Sequence, residues 1–289
     1  MGVPIDSIGS PDGGPPFGTE VSPAELRARG VVNRLGAADH GDMAVRVTGS
    51  QRDPVSGIVG WPSVGTMIAD VRTAVGQLVS AGERPFLLGG CCSLVMGAVA
   101  GTKDQLGGVG LVSVDGHIDL YDNQTSPTGE AADMPTAALL GIGWPGILTE
   151  LGSGPVLTGS QIAVLGARDP DEARDVGDMP ERLGITVTSG AACAAAPARA
   201  ADAVIEAFAA AGLPYWLHLD VDVLSQDVFA ATDYLMPDGL DLAQLTELLS
   251  RFGADDGLAG FSVGCYNPSK DPGGRCGDDL ADVLVSSFG

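Results

Sequence analysis

Basic residues are scarce in this chain. Fifteen Lys and Arg stand against 37 Asp and Glu, a formal net charge of −22, which disfavours binding nucleic acid or an anionic membrane through a general basic field. No apolar run reaches the roughly 20 residues that a helix needs to cross a bilayer. The N-terminus lacks a basic segment followed by an apolar one, so no secretory signal is expected. The five cysteines (Cys91, Cys92, Cys193, Cys265 and Cys276) are odd in number and have no CxxC spacing. A disulfide framework is therefore not expected. Nor does any internal repeat or low-complexity tract stand out. Together these absences lead to the expectation of a cytoplasmic protein with no nucleic acid or membrane partner.

What is present suits an α/β protein. The 289 residues can bury a substantial core, 45% are hydrophobic, and 43 glycines fit strands that end in tight turns. Short apolar runs alternate with segments of helical period, as in a parallel sheet buried on both faces. Eight strands are expected, at 2–5, 43–47, 85–88, 109–114, 162–165, 185–187, 215–221 and 258–263. A helix is expected over 64–81, where Val64, Ile68, Val71, Val75 and Leu78 recur on one face and Gly82 is a stop signal. Another should follow Asp241, an N-cap with Gln244 three residues on. Segments 197–211 and 278–287 read as further helices. Pro and Gly gather at 8–19, 51–62 and 267–277, which are too short for interdomain linkers and read as loops over the sheet ends. One doubly wound domain over residues 1–289 is the expectation.

The chemistry is concentrated in a few aspartates. Most acidic residues are spread along the chain and read as solvated surface, but several sit inside apolar segments. There an ionised carboxylate is costly unless it is paired or bound to metal. In open parallel sheets ligands bind beyond the carboxyl ends of the strands, and three segments put unusual residues at such ends: 87–93, 114–119 and 217–222. Asp115, His117 and Asp119 alternate, so an extended chain would point all three to one side. That is a poor core and a good site for divalent metal. The plainer reading of this motif is a buried His satisfied by neighbouring aspartates. Asp220 and Asp222 follow an otherwise apolar strand, and their plainer reading is a solvated strand end. Taken together, four carboxylates and one His would raise one another's pKa values unless cations were present. Two metals sharing bridging carboxylates is the economical solution.

These motifs carry a family resemblance. Residues 115–119 (D-G-H-I-D) are similar to the D-A-H-x-D signature of the arginase/agmatinase (ureohydrolase) family, and 218–222 (H-L-D-V-D) to its S-x-D-x-D signature. Residues 89–93 (G-G-C-C-S) resemble its G-G-D-H-S, and 166–169 (G-A-R-D) its G-x-R-D. Weaker echoes extend over nearly the whole chain. The resemblance implies a three-layer α/β/α arginase-like fold with a central eight-stranded, mainly parallel sheet. It also implies two Mn²⁺ ions per chain bridged by hydroxide, with Asp115 and Asp220 bridging, Asp119 joining the first ion, and His117 with Asp222 joining the second. Asp119 would orient that hydroxide and accept its proton, as a general base must. A homo-oligomer, trimer or hexamer, is implied as well.

Four departures redirect that reading. Cys92 stands where the family has a metal-binding His. It reads either as a small apolar packing residue or as a thiolate ligand, which would shift preference toward Zn²⁺ or another softer divalent ion. Some ureohydrolase-like enzymes of antibiotic biosynthesis that act on hydroxylated guanidines resemble this chain in having Cys there. Cys91, beside it, reads as structural. Ala132 aligns with the family's proton-shuttle His, which suits a less basic leaving group such as a hydroxylamine derivative. Cys265 takes the place of the Glu that clamps the guanidinium. Glu130 and Arg174, expected in exposed loops, replace polar substrate contacts, whereas Asp171 matches the family's amine-binding Asp. Cys265, Glu130 and Asp171 are accordingly the candidate substrate contacts. The leading expectation is a metal-dependent hydrolase of a C–N bond in an amidine or modified guanidine, such as a hydroxyguanidine, releasing urea or a urea derivative. An amide or imine hydrolase on the same fold, and a non-catalytic binding subunit, are the alternatives.

Overall fold

Among the described residues the apolar runs become seven strands: β1 (Gly2–Val3), β2 (Phe86–Gly89), β3 (Gly110–Val114), β4 (Ile162–Ala167), β5 (Thr186–Ser189), β6 (Tyr215–Asp220) and β7 (Leu258–Gly264). The computed structural model describes residues 1–7, 18–47 and 51–289. All neighbouring strands pair in parallel, in the order β1-β2-β7-β6-β3-β4-β5. The chain lays β3, β4 and β5 outward to one edge, then returns to fill the centre with β6 and β7. Every residue of β3 and β6 is buried. That is the signature of a sheet covered by helices on both faces.

The helices pack as two groups. Ser63–Ser80 lies against Leu94–Leu106, while Pro197–Ala210, Leu242–Gly253 and Arg275–Phe288 pack in succession. The first pair touches backbone to backbone. A Cβ on Gly97 would fall 2.5 Å from the Ile68 carbonyl oxygen, and one on Gly101 would fall 2.3 Å from that of Arg72. Only glycine permits that approach.

The doubly wound α/β expectation is borne out, with one strand fewer than foreseen. Residues 43–47 form no strand. Met43 donates to the Gly2 carbonyl and Gly2 to that of Gly41, a single bridge against an edge strand of only two residues. So short an edge cannot template a longer ladder. The 8–19 loop lies mostly outside the described residues. The four expected helices form, at Ser63–Ser80, Pro197–Ala210, Leu242–Gly253 and Arg275–Phe288.

The Asp241 cap has the reciprocal geometry of a capping box. The Gln244 N–H donates to Asp241 Oδ1 at 2.7 Å, and the Asp241 N–H donates to Gln244 Oε1 at 2.8 Å. Asp241→Ala should therefore cost about 1 kcal/mol of stability, read as a lower midpoint with unchanged slope in urea unfolding.

Candidate active site and metal centre

The carboxyl ends of β2, β7, β6 and β3, the four central strands, converge on one cavity of about 400 Å³. Cys92, His117, Asp119, Asp220, Asp222 and Cys265 are among the residues that line it. Each arrives by a different local device.

Cys92 follows β2 through Gly90. A Cβ there would fall 1.6 Å from the Ile5 carbonyl oxygen, so glycine lets the turn pass β1. Cys92 is buried; its Sγ donates to Asp220 Oδ2 at 2.7 Å and lies 3.5 Å from Cys265 Sγ. Cys91 points away, hydrogen-bonded to the hydroxyls of Ser7 and Ser93. All five cysteines are free.

Strand alternation does not explain how the 115–119 motif converges. β3 ends at Val114, and the chain then curls. Asp115 Oδ1 accepts from the His117 N–H at 2.7 Å, and Asp222 Oδ1 accepts from the Gly116 N–H at 3.0 Å. Asp119 takes a left-handed conformation with φ of 56°. The buried Glu172 carboxylate holds this curl, accepting from the N–H groups of Ile118 (2.6 Å) and Leu120 (3.1 Å) on either side of Asp119. Asp220 ends β6 and accepts from the Asp222 N–H at 2.7 Å. The Arg168 guanidinium donates to the carbonyls of Asp222 (2.6 Å) and Leu224 (3.1 Å), fixing the turn behind the acidic cluster.

The donor atoms form three overlapping groups. Those of Asp115, His117 and Asp222 lie within 4.8 Å of one another, as do those of Cys92, Asp115 and Asp119, and those of Cys92, Asp220 and Cys265. Asp115 belongs to two groups and is only 1% exposed. Hard carboxylate and imidazole donors at such spacing fit divalent ions.

Electrostatics supports the fit. Burial pushes Asp119 well above the usual carboxylate range, helped by the charges of Asp115 and Glu172. Asp220 is also raised well above that range, by burial first and then by Asp222 and Asp115. Burial would raise Asp222 too, but the His117 imidazolium, the Gly116 N–H and Arg168 outweigh it and hold Asp222 low. His117 Nδ1 sits 3.0 Å from Asp222 Oδ2. Burial acts to lower His117, yet Asp222 and Asp115 outweigh it and keep the ring protonated. Without cations, then, the cluster is neutralised by protons. Metal binding must displace them, so apparent affinity should rise with pH.

Asp119 and Asp220 bind protons more tightly in the folded, metal-free protein than unfolded, so that protein loses stability as pH rises from about 4. Metal reverses this trend by taking the protons' place. The gap in Tm between Mn²⁺-loaded and chelated protein should widen from pH 5 to pH 8, as measured by thermal unfolding.

Two buried residues to which sequence reasoning gave no role stand at the site: Glu172 lines the cavity, and His218 contacts Cys92. His218 is buried, its Nε2 3.2 Å from Cys92 Sγ and its Nδ1 2.8 Å from Ser262 Oγ. Burial pushes its pKa down to about 3, so the ring is neutral. Ser262 Oγ accepts from the Trp216 indole at 2.9 Å and is placed to donate to Nδ1, which puts the imidazole proton on Nε2, toward Cys92. His218 stands two residues before Asp220 on β6, the same-face spacing of a strand. That spacing was the one sequence signal for it. Glu172 gave none: burial raises it to about 7, against the pull of the Ile118 and Leu120 N–H groups.

The candidate substrate contacts divide. Cys265 and Asp171 line the cavity, with Asp171 exposed and paired to Arg174 at 2.7 Å. Arg174 is exposed as expected, whereas Glu130 is only 3% exposed, not in an exposed loop. It accepts at 2.7 Å from the hydroxyl of Tyr234, which is the residue that lines the cavity. The Tyr234 ring meets His117 edge-on, with centroids 5.7 Å apart. Sequence spacing could not see that Tyr234 intervenes. Ala132 also lines the cavity and brings no titratable group to it.

A parallel α/β sheet whose central strand ends gather buried carboxylates, an imidazole and a thiol around a cleft defines an α/β/α protein with a candidate metal site. Comparison with known proteins makes the assignment specific. The profile of the Arginase family matches residues 1–288, and the chain belongs to that family. An arginase of Brevibacillus brevis is 28% identical over 198 residues, which cover 65% of this chain and 62% of that protein. The aligned stretch is thus less than two thirds of that relative's length. Among solved structures, the native arginase of Bacillus caldovelox superposes with a TM-score of 0.86 at 22% identity, covering all of this chain and 96% of that one. Formimidoylglutamase of Bacillus subtilis superposes at 0.76 with 17% identity, over 99% and 84% of the two chains. No helix among the described residues is long and apolar enough to cross a membrane.

Proposed function

We propose that this chain is a metal-dependent hydrolase of a C–N bond in an amidine or modified guanidine, such as a hydroxyguanidine, releasing urea or a urea derivative. The observation that carries the reading is the convergence of four buried or cavity-lining aspartates with His117 and Cys92 at the floor of one cavity, in a chain of the Arginase family. Asp115 and Asp220 would lie between two divalent ions, Mn²⁺ by family likeness, with Zn²⁺ or another ion favoured to the extent that Cys92 ligates. His117 and Asp222 would complete one side, Cys92 and Asp119 the other. The chemistry such an ion pair supplies when bound is a water of lowered pKa, activated as a nucleophile near neutral pH.

The protein's own groups do the remainder. Asp119, fixed by the Glu172 clamp, accepts and holds the proton of the attacking water. Asp171 at the rim would receive a substrate amine. Glu130 would act through the Tyr234 phenol that it fixes. Cys265 presents a thiol where a guanidinium clamp would need a carboxylate, and Ala132 offers no proton to the leaving group. The first weakens the hold on an ordinary guanidinium and the second points to a less basic leaving group than a plain amine, so L-arginine is disfavoured. A cytoplasmic homo-oligomer, trimer or hexamer, is the accompanying expectation.

The test is metal analysis of the purified protein followed by urea release over a panel of guanidines and hydroxyguanidines. Two ions per chain and turnover of a modified guanidine are expected. A preparation with no metal and no affinity for Mn²⁺, Zn²⁺ or Ni²⁺ would sink the proposal. The absence of a carboxylate at Cys265 favours one second reading, an amide or imine hydrolase, which the same panel extended to such substrates would reveal by product without urea.

A further inference from the structure

We propose that Cys92 and Cys265 together bind one ion as a two-thiolate site with Asp220, distinct in character from the hard Asp115, His117 and Asp222 position beside it. The proposal rests on the metal-centre reading above and assigns Cys265 a ligand's role in place of a substrate contact. The two sulfurs come from the carboxyl ends of adjacent strands, after β2 and after β7, and lie 3.5 Å apart. A tetrahedral Zn²⁺ with bonds of about 2.3 Å to each sulfur requires an S···S separation of about 3.8 Å. The donor atoms of Cys92, Cys265 and Asp220 already lie mutually within 4.8 Å.

Backbone geometry holds the pair in place. The Cys265 N–H donates to the Gly90 carbonyl at 2.6 Å, tying the end of β7 to the turn that carries Cys92. Cys265 itself is held at a φ of 64°, an uncommon conformation for a residue with a side chain. Both thiols are free and buried, so neither is committed to a disulfide. The His218 Nε2–H, 3.2 Å from Cys92 Sγ, supplies a hydrogen bond that steadies the thiolate. Two thiolates and one carboxylate select a borderline-soft ion, while the neighbouring carboxylate–imidazole set suits a hard one.

Zinc X-ray absorption on the reduced, Zn²⁺-loaded protein, with sulfur scatterers counted per chain (the sulfur number per ion multiplied by the ions bound), tests this directly. Two sulfur scatterers at about 2.3 Å are expected in the wild type, falling to one in Cys265→Ser and to one in Cys92→Ser. The Co²⁺-loaded wild type should show thiolate charge-transfer absorption that weakens in each variant, a readout independent of catalysis. One sulfur in the wild type, or a count that Cys265→Ser leaves unchanged, overturns the proposal while the metal centre stands. Ions bound with no sulfur overturn it equally, and failure to bind any ion overturns the metal-centre reading with it. The wild-type count decides the matter even if a variant fails to fold.

Discussion

Asp119→Asn should lower turnover of the best substrate by roughly 10²- to 10⁴-fold, the range for loss of a positioned general base, while the protein still folds and binds metal. The structure gives this substitution unusual selectivity. Asp119 has a φ of 56°, and Asn is among the few residues that tolerate the left-handed region. The clamp around it is made by main-chain groups: the N–H groups of Ile118 and Leu120 bind Glu172, and the Asp119 carbonyl accepts from the Thr136 N–H at 3.1 Å. None of these contacts depends on the Asp119 side chain. What changes is the charge and the capacity to take a proton. An amide oxygen can still approach an ion, but it cannot accept the proton of an attacking water. Metal content by elemental analysis should therefore stay near wild type while kcat falls. Wild-type turnover in a correctly folded Asn variant would remove Asp119 from the mechanism.

Much of the fold was legible because its cues are local. The capping box at Asp241 and the apolar stripe of Ser63–Ser80 are short-range patterns, and both appear where expected. The strand expected at 43–47 failed because pairing is not local: its partner β1 supplies two residues and one bridge. The site shows the same division. Asp115, His117 and Asp119 were noticed for their spacing, yet the geometry that gathers them is a curl after β3 rather than an alternating strand. The group that enforces the curl, Glu172, lies more than 50 residues away in sequence. Glu130 illustrates the complementary failure: a position read as exposed loop is buried behind Tyr234, which no motif marked. His218 was visible within its motif but had no role until Cys92 came to rest 3.2 Å from its ring. Linear motifs find the donors; tertiary structure decides what stands behind them.

Asp115→Ala should have the larger effect on metal, removing ions rather than disabling one that is bound. Its carboxylate belongs to both the His117–Asp222 group and the Cys92–Asp119 group, so its loss weakens both positions at once. Metal stoichiometry should drop from two per chain to one or fewer. Because bound metal contributes several kcal/mol to such reactions, turnover should fall by on the order of 10³-fold or more. The effect on the metal-free protein runs the other way. Burial and the Asp222 charge push Asp115 up, a sign that its ionised form is unwelcome there. Deleting it relieves repulsion among the remaining carboxylates, at the cost of the acceptor for the His117 N–H. The two effects oppose each other, and Tm in chelator should change little. Mn²⁺ should raise the wild-type Tm, since a ligand at 100 times its Kd adds about 2.7 kcal/mol, and should raise the Tm of Asp115→Ala much less. An Ala variant that keeps both ions and the full metal-dependent rise in Tm would show that Asp115 bridges nothing, and the proposed ion pair would have to be rebuilt around Asp220 alone.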